Sequence, residues 1–215
     1  MTSAIIFDMD GTLFQTNLIL EPALEATFDV LREKGLWVGA TPIETYREIM
    51  GVSLPVVWKT LCPEHSQEQQ KKSNTLFQKK LIQQIKAKNG ALYPGVEDTL
   101  ANMAKHYSLY IASNGQQEYL NAISEVYQLD RYIQKIYSID LIPSGDKSEL
   151  VSFVQRENNI VKGYVVGDRA SDIQAAKDNK FVSIGVRFDF SQEDELALAD
   201  YTVEAFHEIG PIISR

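Results

Sequence analysis

The chain has 215 residues, of which 44% are hydrophobic and 23% charged, close to ordinary globular usage. At about 150 residues per domain that length amounts to about 1.4 domains, which excludes a disulfide-stapled miniprotein and a long multidomain array. Lys and Arg number 21 against 29 Asp and Glu, a net charge of −8, so neither nucleic-acid phosphates nor an anionic membrane surface is an expected partner.

The N-terminal apolar run lacks a basic flank and meets Asp8 too early for a signal peptide. No stretch approaches the roughly 18 apolar residues that a membrane span needs. The single cysteine, Cys62, has no intramolecular partner, which suits a reducing compartment. A cytoplasmic protein is expected.

In chain order, residues 4–7 are a short apolar run without polar alternation, which predicts a buried parallel strand. Residues 15–88 carry helical periodicity and no clear strand. A first helix is predicted from near Pro22 to Lys34, stopped by Gly35, and Pro42 opens a second that ends before Gly51. A third covers 53–61. Ser66 with Gln69 resembles a capping box for a long fourth helix, whose buried face is marked by Phe77, Leu81 and Ile85 and which ends near Asn89-Gly90.

From Leu92 the pattern changes to alternating strands and helices. Strands are predicted at 109–112, 135–139, 164–166, 182–185 and 201–203. Helices are predicted at 96–105, 117–126, 147–157, 171–179 and 193–199. Such alternation implies right-handed crossovers and a parallel sheet. The first strand finds its partners only after the helical block. The expected organisation is therefore an α/β, Rossmann-like parallel-sheet core with helices on both faces, residues 1–14 and 92–215, interrupted by an inserted all-helical cap, residues 15–91.

In open α/β sheets ligands bind beyond the carboxyl ends of the strands, and four polar clusters fall there. Asp8-Met9-Asp10-Gly11-Thr12 follows the first strand. Two carboxylates there can act as nucleophile and acid/base, and Gly11 permits close approach of a ligand. A calcium loop fails, because its glycine and terminal glutamate positions hold Leu13 and Ile19. Ser113-Asn114-Gly115, taken alone, reads first as an ordinary helix N-cap, and it also suits phosphate binding. Lys147, in the first turn of a helix, opposes the dipole, which fits neutralisation of an anion; the alternative is a surface lysine. Gly167-Asp168 with Asp172 can contribute carboxylates to Mg²⁺, or cap the next helix. Together the clusters assemble one crevice.

These residues resemble the haloacid dehalogenase-like hydrolase superfamily. Phe7-Asp8-Met9-Asp10-Gly11-Thr12-Leu13 matches its first motif, Ser113-Asn114-Gly115 its second, and Gly167-Asp168 with Asp172 its fourth. Tyr93-Pro94-Gly95-Val96 resembles the return from cap to core. The third motif departs: many relatives have Lys-Pro where this chain has Lys147-Ser148. The resemblance covers residues 1–14 and about 92–205, and the insertion matches by position and length only. Gly51-Val52-Ser53-Leu54 is similar to cap segments of phosphoglycolate-phosphatase-like members.

The resemblance implies that Asp8 is a nucleophile that becomes an aspartyl-phosphate. Asp10 then protonates the leaving oxygen and later activates water, and Thr12 orients Asp10. Gly11, Ser113 and Asn114 bind substrate, and Lys147 neutralises charge. Mg²⁺ is held by Asp8, the Asp10 carbonyl and Asp168, with Asp172 in support. The implied activity is a Mg²⁺-dependent phosphatase of a small-molecule phosphomonoester. A sugar phosphomutase of the β-phosphoglucomutase kind is the alternative, followed by a non-catalytic regulatory protein on the same fold. Asp10 argues against dehalogenases and phosphonate hydrolases, which lack a carboxylate there. Segments 14–17 and 90–94 are the expected cap hinges, and Arg47 and Lys59 are candidate leaving-group contacts. Arg169 fits a substrate contact or an exposed helix start. His65, His106 and His207 have no metal-ligand spacing, and Cys62, Trp37, Trp58 and the tyrosines are expected to pack. No feature of the sequence sets an oligomeric state.

Overall fold

The computed structural model describes residues 2–49 and 54–214. In chain order they form β1 (Thr2–Phe7), α1 (Asn17–Glu33), α2 (Ile43–Glu48), α3 (Leu54–Leu61), α4 (Gln67–Lys86), α5 (Val96–Met103), β2 (Ser108–Ser113), α6 (Gln117–Tyr127), β3 (Lys135–Ser138), α7 (Lys147–Glu157), β4 (Ile160–Gly167), α8 (Ala170–Asp178), β5 (Val182–Val186), α9 (Glu193–Leu196), β6 (Tyr201–Val203) and α10 (Ile209–Ile213). The cap-like Gly51-Val52-Ser53 segment lies outside the described residues. The chain divides into two compact units, residues 1–15 with 91–215 and residues 16–90.

The first unit is a six-stranded sheet in the order β3-β2-β1-β4-β5-β6, with every strand pair parallel. Strand alternation sends side chains to opposite faces. Ala4, Ile6, Tyr110, Ala112 and Val165 turn to one face and are covered by Leu150, Val151 and Val154 of α7 and Ala175 and Ala176 of α8. On the other face Phe7 meets Phe206, with ring centroids 5.9 Å apart. The carbonyl of Ile213 in α10 accepts a hydrogen bond from Tyr107 at 2.8 Å. β1, buried on both faces, lies between β2 and β4, so the strand order reverses beside it. That places the topological switch point at the carboxyl end of β1.

The second unit is all-helical, and its core is aromatic. Trp58 of α3 stacks on Phe28 of α1 at 6.3 Å and meets Phe77 of α4 edge-on at 6.0 Å. The indole N–H donates to Asn74 at 2.9 Å, satisfying the one polar group the ring buries. Arg47 of α2 pairs with Glu44 and Glu21 within this unit, and Lys59 is exposed.

Several element bounds differ from the sequence expectation. α1 begins at Asn17 and carries Pro22 inside it rather than at its start. The buried stripe Ile19, Leu20, Ala23, Leu24, Thr27, Phe28 and Leu31 runs straight through the proline, and burial along that stripe outweighs one missing hydrogen bond. At α4 only half of the capping box forms. Ser66 accepts from the Gln69 N–H at 3.2 Å, while the Gln69 side chain turns forward to Ser73. β3 stops at Ser138, because Ser138 caps a 3₁₀ turn at 139–141.

Within the first unit, the segments on either side of the insertion run side by side. The Gln15 N–H donates to the Ala91 carbonyl at 2.9 Å, the Tyr93 N–H donates to the Leu13 carbonyl at 3.0 Å, and Phe14 bridges Leu92.

Candidate active site

The site begins with a chain that leaves β1 and turns back on itself. The Asp8 N–H still donates to Val166 of β4 at 2.9 Å, and then the N–H groups of Leu13 and Phe14 both return to the Met9 carbonyl. Gly11 sits in this turn at φ +72°, where an L side chain is strained. There is a second reason for glycine: a Cβ at position 11 would fall on the carboxylate of Asp168. The close approach that Gly11 permits is that of a carboxylate from β4. Gly167 does the same for Asp172, whose carboxyl occupies the space a Cβ would take.

Three carboxylates converge there. Asp8, Asp168 and Asp172 are all buried, and each offers an oxygen within 4.8 Å of the others. Lys147, the first residue of α7 and 5% exposed, brings its ammonium 2.8 Å from Asp8 Oδ2 and also pairs with Asp172 Oδ1. The lysine is held there because Asp146 caps α7, accepting from the N–H groups of Ser148 at 2.6 Å and Glu149 at 3.1 Å. Asp172 Oδ2 accepts from the Arg169 N–H at 3.1 Å, so one carboxylate both caps α8 and faces the lysine. Thr12 donates its hydroxyl to Asp168 Oδ1 at 3.0 Å. The resemblance had assigned Thr12 to orient Asp10; the carboxylate it contacts is instead the one from β4.

The electrostatics follow from this crowding. Burial, and then the charges of Asp172 and Asp8, push the Asp168 carboxyl well above its ordinary pKa. Burial pushes Asp172 up to about 6 despite the pull of Lys147. Burial disfavours the Lys147 ammonium, but Asp172 and Asp8 outweigh it and raise its pKa. Three buried carboxylates with one ammonium leave an excess of negative charge among oxygen donors, which fits a hard divalent cation such as Mg²⁺.

The remaining candidates lie at the end of β2 and in the turn after β1. Ser113, 1% exposed, ends β2, and its Oγ accepts from the Gly115 N–H at 3.2 Å. Asn114 lies beside it, half-buried. That loop is tied to β3 by Ser138, which donates to the Gly115 carbonyl at 2.7 Å. Asp10 is half-buried, and its Oδ1 accepts from the hydroxyl of Tyr119 at 2.5 Å.

Sequence reasoning missed two residues here. Tyr119 was grouped with packing tyrosines; the signal that marks it is its position in the first turn of the helix after a strand-end loop. Glu195 of α9 clasps Arg169 Nε at 2.9 Å and the Ala170 N–H at 2.8 Å, fixing the chain next to Asp168. Nothing in the local sequence points to it. The guanidinium of Arg169, for which a substrate contact or an exposed helix start had been open, is engaged by Glu195.

The sequence model for haloacid dehalogenase-like hydrolases matches residues 5–186. The chain belongs to this family. Among curated haloacid dehalogenase-like relatives, a "Pyrophosphatase PpaX" of Listeria innocua is 24% identical over 228 residues, covering 98% of this chain and 96% of the relative. A "Phosphoglycolate phosphatase" of Vibrio vulnificus is 23% identical over 222 residues, covering 97% and 95%. Among solved structures, CbbY from Rhodobacter sphaeroides in complex with phosphate superposes with a TM-score of 0.83 at 19% identity, covering 98% of this chain and 97% of that one. The haloacid dehalogenase-like protein SP0104 from Streptococcus pneumoniae superposes with a TM-score of 0.79 at 18% identity, covering 99% and 98%. These two likenesses establish the shared fold. Among the described residues of this family member, no helix is long and apolar enough to cross a membrane.

Proposed function

We propose that the chain is a Mg²⁺-dependent phosphatase acting on a small-molecule phosphomonoester. The observation that carries the proposal is the placement of Asp8. It stands at the switch point of the sheet, with a lysine ammonium 2.8 Å from one oxygen and two more carboxylates within 4.8 Å. A carboxylate beside a lysine and a cation-binding set is what nucleophilic attack on a phosphate ester requires.

In this reading an Asp8 oxygen forms a bond to phosphorus as the bond from phosphorus to the leaving oxygen breaks. Asp10 gives the leaving oxygen its proton. Asp10 then takes a proton from water, whose oxygen bonds to phosphorus as the bond to Asp8 breaks, releasing inorganic phosphate. Gly11, Ser113 and Asn114 bind the substrate, and the room Gly11 leaves lets the Asp168 carboxylate approach the turn that carries Asp10. Lys147 holds Asp8 and balances its charge. Asp8, the Asp10 carbonyl and Asp168 would hold Mg²⁺, with Asp172 supporting, and the ion would supply positive charge to the phosphoryl oxygens. Residues 1–14 with 92–215 act as the catalytic core and residues 15–91 as a cap that excludes water and selects substrate. A cytoplasmic setting agrees with the free, buried Cys62, whose thiol burial pushes up to about 11 and so keeps unreactive.

The test is turnover of p-nitrophenyl phosphate and a library of metabolite phosphates by the purified protein with Mg²⁺. Inorganic pyrophosphate joins the panel because of the PpaX likeness. Release of phosphate that disappears in Asp8→Asn and in chelator is the expected result. Equal rates for wild type and Asp8→Asn across the whole panel would sink the proposal. Interconversion of hexose 1- and 6-phosphates in place of net hydrolysis would mark a mutase.

A further inference from the structure

Tyr119 has a place in the site that none of the family motifs assigns. Its ring is buried, 3% exposed, yet its hydroxyl reaches out to Asp10 Oδ1 at 2.5 Å. The ring packs against the loop after β2: a Cβ on Gly115 would stand 2.9 Å from Leu120 Cδ2 and 3.2 Å from Tyr119 Cδ1, so the glycine leaves room for both side chains. One face of α6 meets the turn after β1 at two points. Tyr119 meets Asp10, and Tyr127, two helical turns on, packs its ring on Phe14 with centroids 5.4 Å apart. Between them Ile123 is fully buried, which fixes the helix rotation that aims both rings. Asp10 and Phe14 are themselves bridged through the backbone. The turn that presents Asp10 is therefore clamped along its length by one helix.

We propose that Tyr119 is a positioning residue for Asp10. The phenol donates to Oδ1, so that the carboxyl is held in one orientation for proton exchange with the leaving group. This rests on the reading of Asp10 as the acid that protonates the leaving oxygen. A proton donor matters in proportion to how poor the leaving group is. An aryl oxide of low basicity departs without a proton, whereas an alkyl oxide needs one. Losing the hydroxyl should therefore separate substrates by leaving group, which a general loss of packing or folding does not do.

The experiment compares kcat/KM of wild type, Tyr119→Phe and Asp10→Asn on a series running from p-nitrophenyl phosphate through phenyl phosphate to simple alkyl phosphates, at saturating Mg²⁺. Tyr119→Phe keeps the ring that packs against Gly115. It is expected to stay within about twofold of wild type on p-nitrophenyl phosphate and to lose about tenfold on alkyl phosphates. The loss should fall in kcat with KM little changed, and the double variant Tyr119→Phe/Asp10→Asn should lose no more than Asp10→Asn alone. Three results would overturn the proposal: an equal loss on every substrate, no loss on any, or a faster Tyr119→Phe enzyme, which would mean that the phenol restrains Asp10. If wild type and Asp8→Asn are equally inactive on the whole series, the phosphatase reading itself fails. If wild type turns over in an Asp8-dependent way and Tyr119→Phe shows no leaving-group dependence, that reading stands and only the role of Tyr119 falls.

Discussion

Replacing Lys147 with methionine removes the ammonium from among three buried carboxylates and keeps most of the side-chain volume. At 2.8 Å from Asp8, a pair of unit charges interacts by about 6 kcal/mol at the effective dielectric of about 20 that suits protein sites, before the cost of burying the ammonium is subtracted. Removing one partner of a buried pair costs about 3–5 kcal/mol net, because the remaining charge is left uncompensated. Removing an exposed lysine costs less than about 0.5 kcal/mol. For a chain of this size about 1 kcal/mol corresponds to about 2–4 °C in Tm. Metal-free Lys147→Met near neutral pH is therefore expected to melt roughly 6–20 °C below wild type. The gap should narrow in Mg²⁺, which supplies the missing positive charge, and again at about pH 5, where Asp168 and Asp172 take up protons more readily than ordinary carboxyls. Thermal unfolding followed by circular dichroism in chelator and in Mg²⁺, at both pH values, measures all four gaps. Equal melting of the two proteins in chelator near neutral pH refutes the reasoning, since it would mean that Lys147 balances no buried charge.

Gly11→Ala is expected to lower kcat/KM on any substrate of the enzyme by about a hundredfold, because displacing a reacting group by about an ångström costs that much. Gly35→Ala is the control: it shares the backbone strain, at φ +66°, but its Cβ meets nothing within 4 Å, and it should lose a little stability and no activity. Equal activity losses in the two would remove the argument from the Asp168 contact. Mg²⁺ is expected to raise Tm more near neutral pH than at about pH 5. The Asp172 carboxyl, normally at 3.8, is raised to about 6 in the folded chain, so the metal-free fold binds more protons than the unfolded chain and loses stability as pH rises across about 4 to 6. Mg²⁺ competes with those protons, and an equal gain in Tm at both pH values in a thermal-shift titration would contradict the linkage.

The sheet was legible in the sequence because most strands carry a short apolar run, such as residues 4–7, 109–112 and 164–166, followed by a polar cluster at the carboxyl end. Asp8, Ser113 and Asp168 could be placed by that rule alone, each at the end of a strand. What could not be read locally were pairings fixed by distant segments. Thr12 contacts Asp168, 156 residues away, and Tyr119 contacts Asp10, 109 residues away. Neither side chain differs in type from one that merely packs. Pro22 misplaced the start of α1 for the opposite reason. A strong local signal was overridden by a buried stripe that only the folded helix displays. The role of Gly11 was half-read: its freedom at positive φ follows from the turn, whereas the neighbour that forbids a Cβ does not.

The central position of β1 also sets the order in which the protein can be made. Ala4 pairs with Ser108 on one side and with Gly163 on the other, so β1 is synthesised well before both of its neighbours and waits for them. At a synthesis rate of about 5–20 residues per second that delay is about 8–30 s. Residues 16–90 are continuous in sequence and can collapse on their own helices during it. β1 meanwhile remains an unpaired apolar strand, the kind of segment that seeks a wrong edge. Chains truncated before β4 lack one of its two neighbours for good, and overexpressed fragments ending there are the ones that should partition into aggregates or onto chaperones.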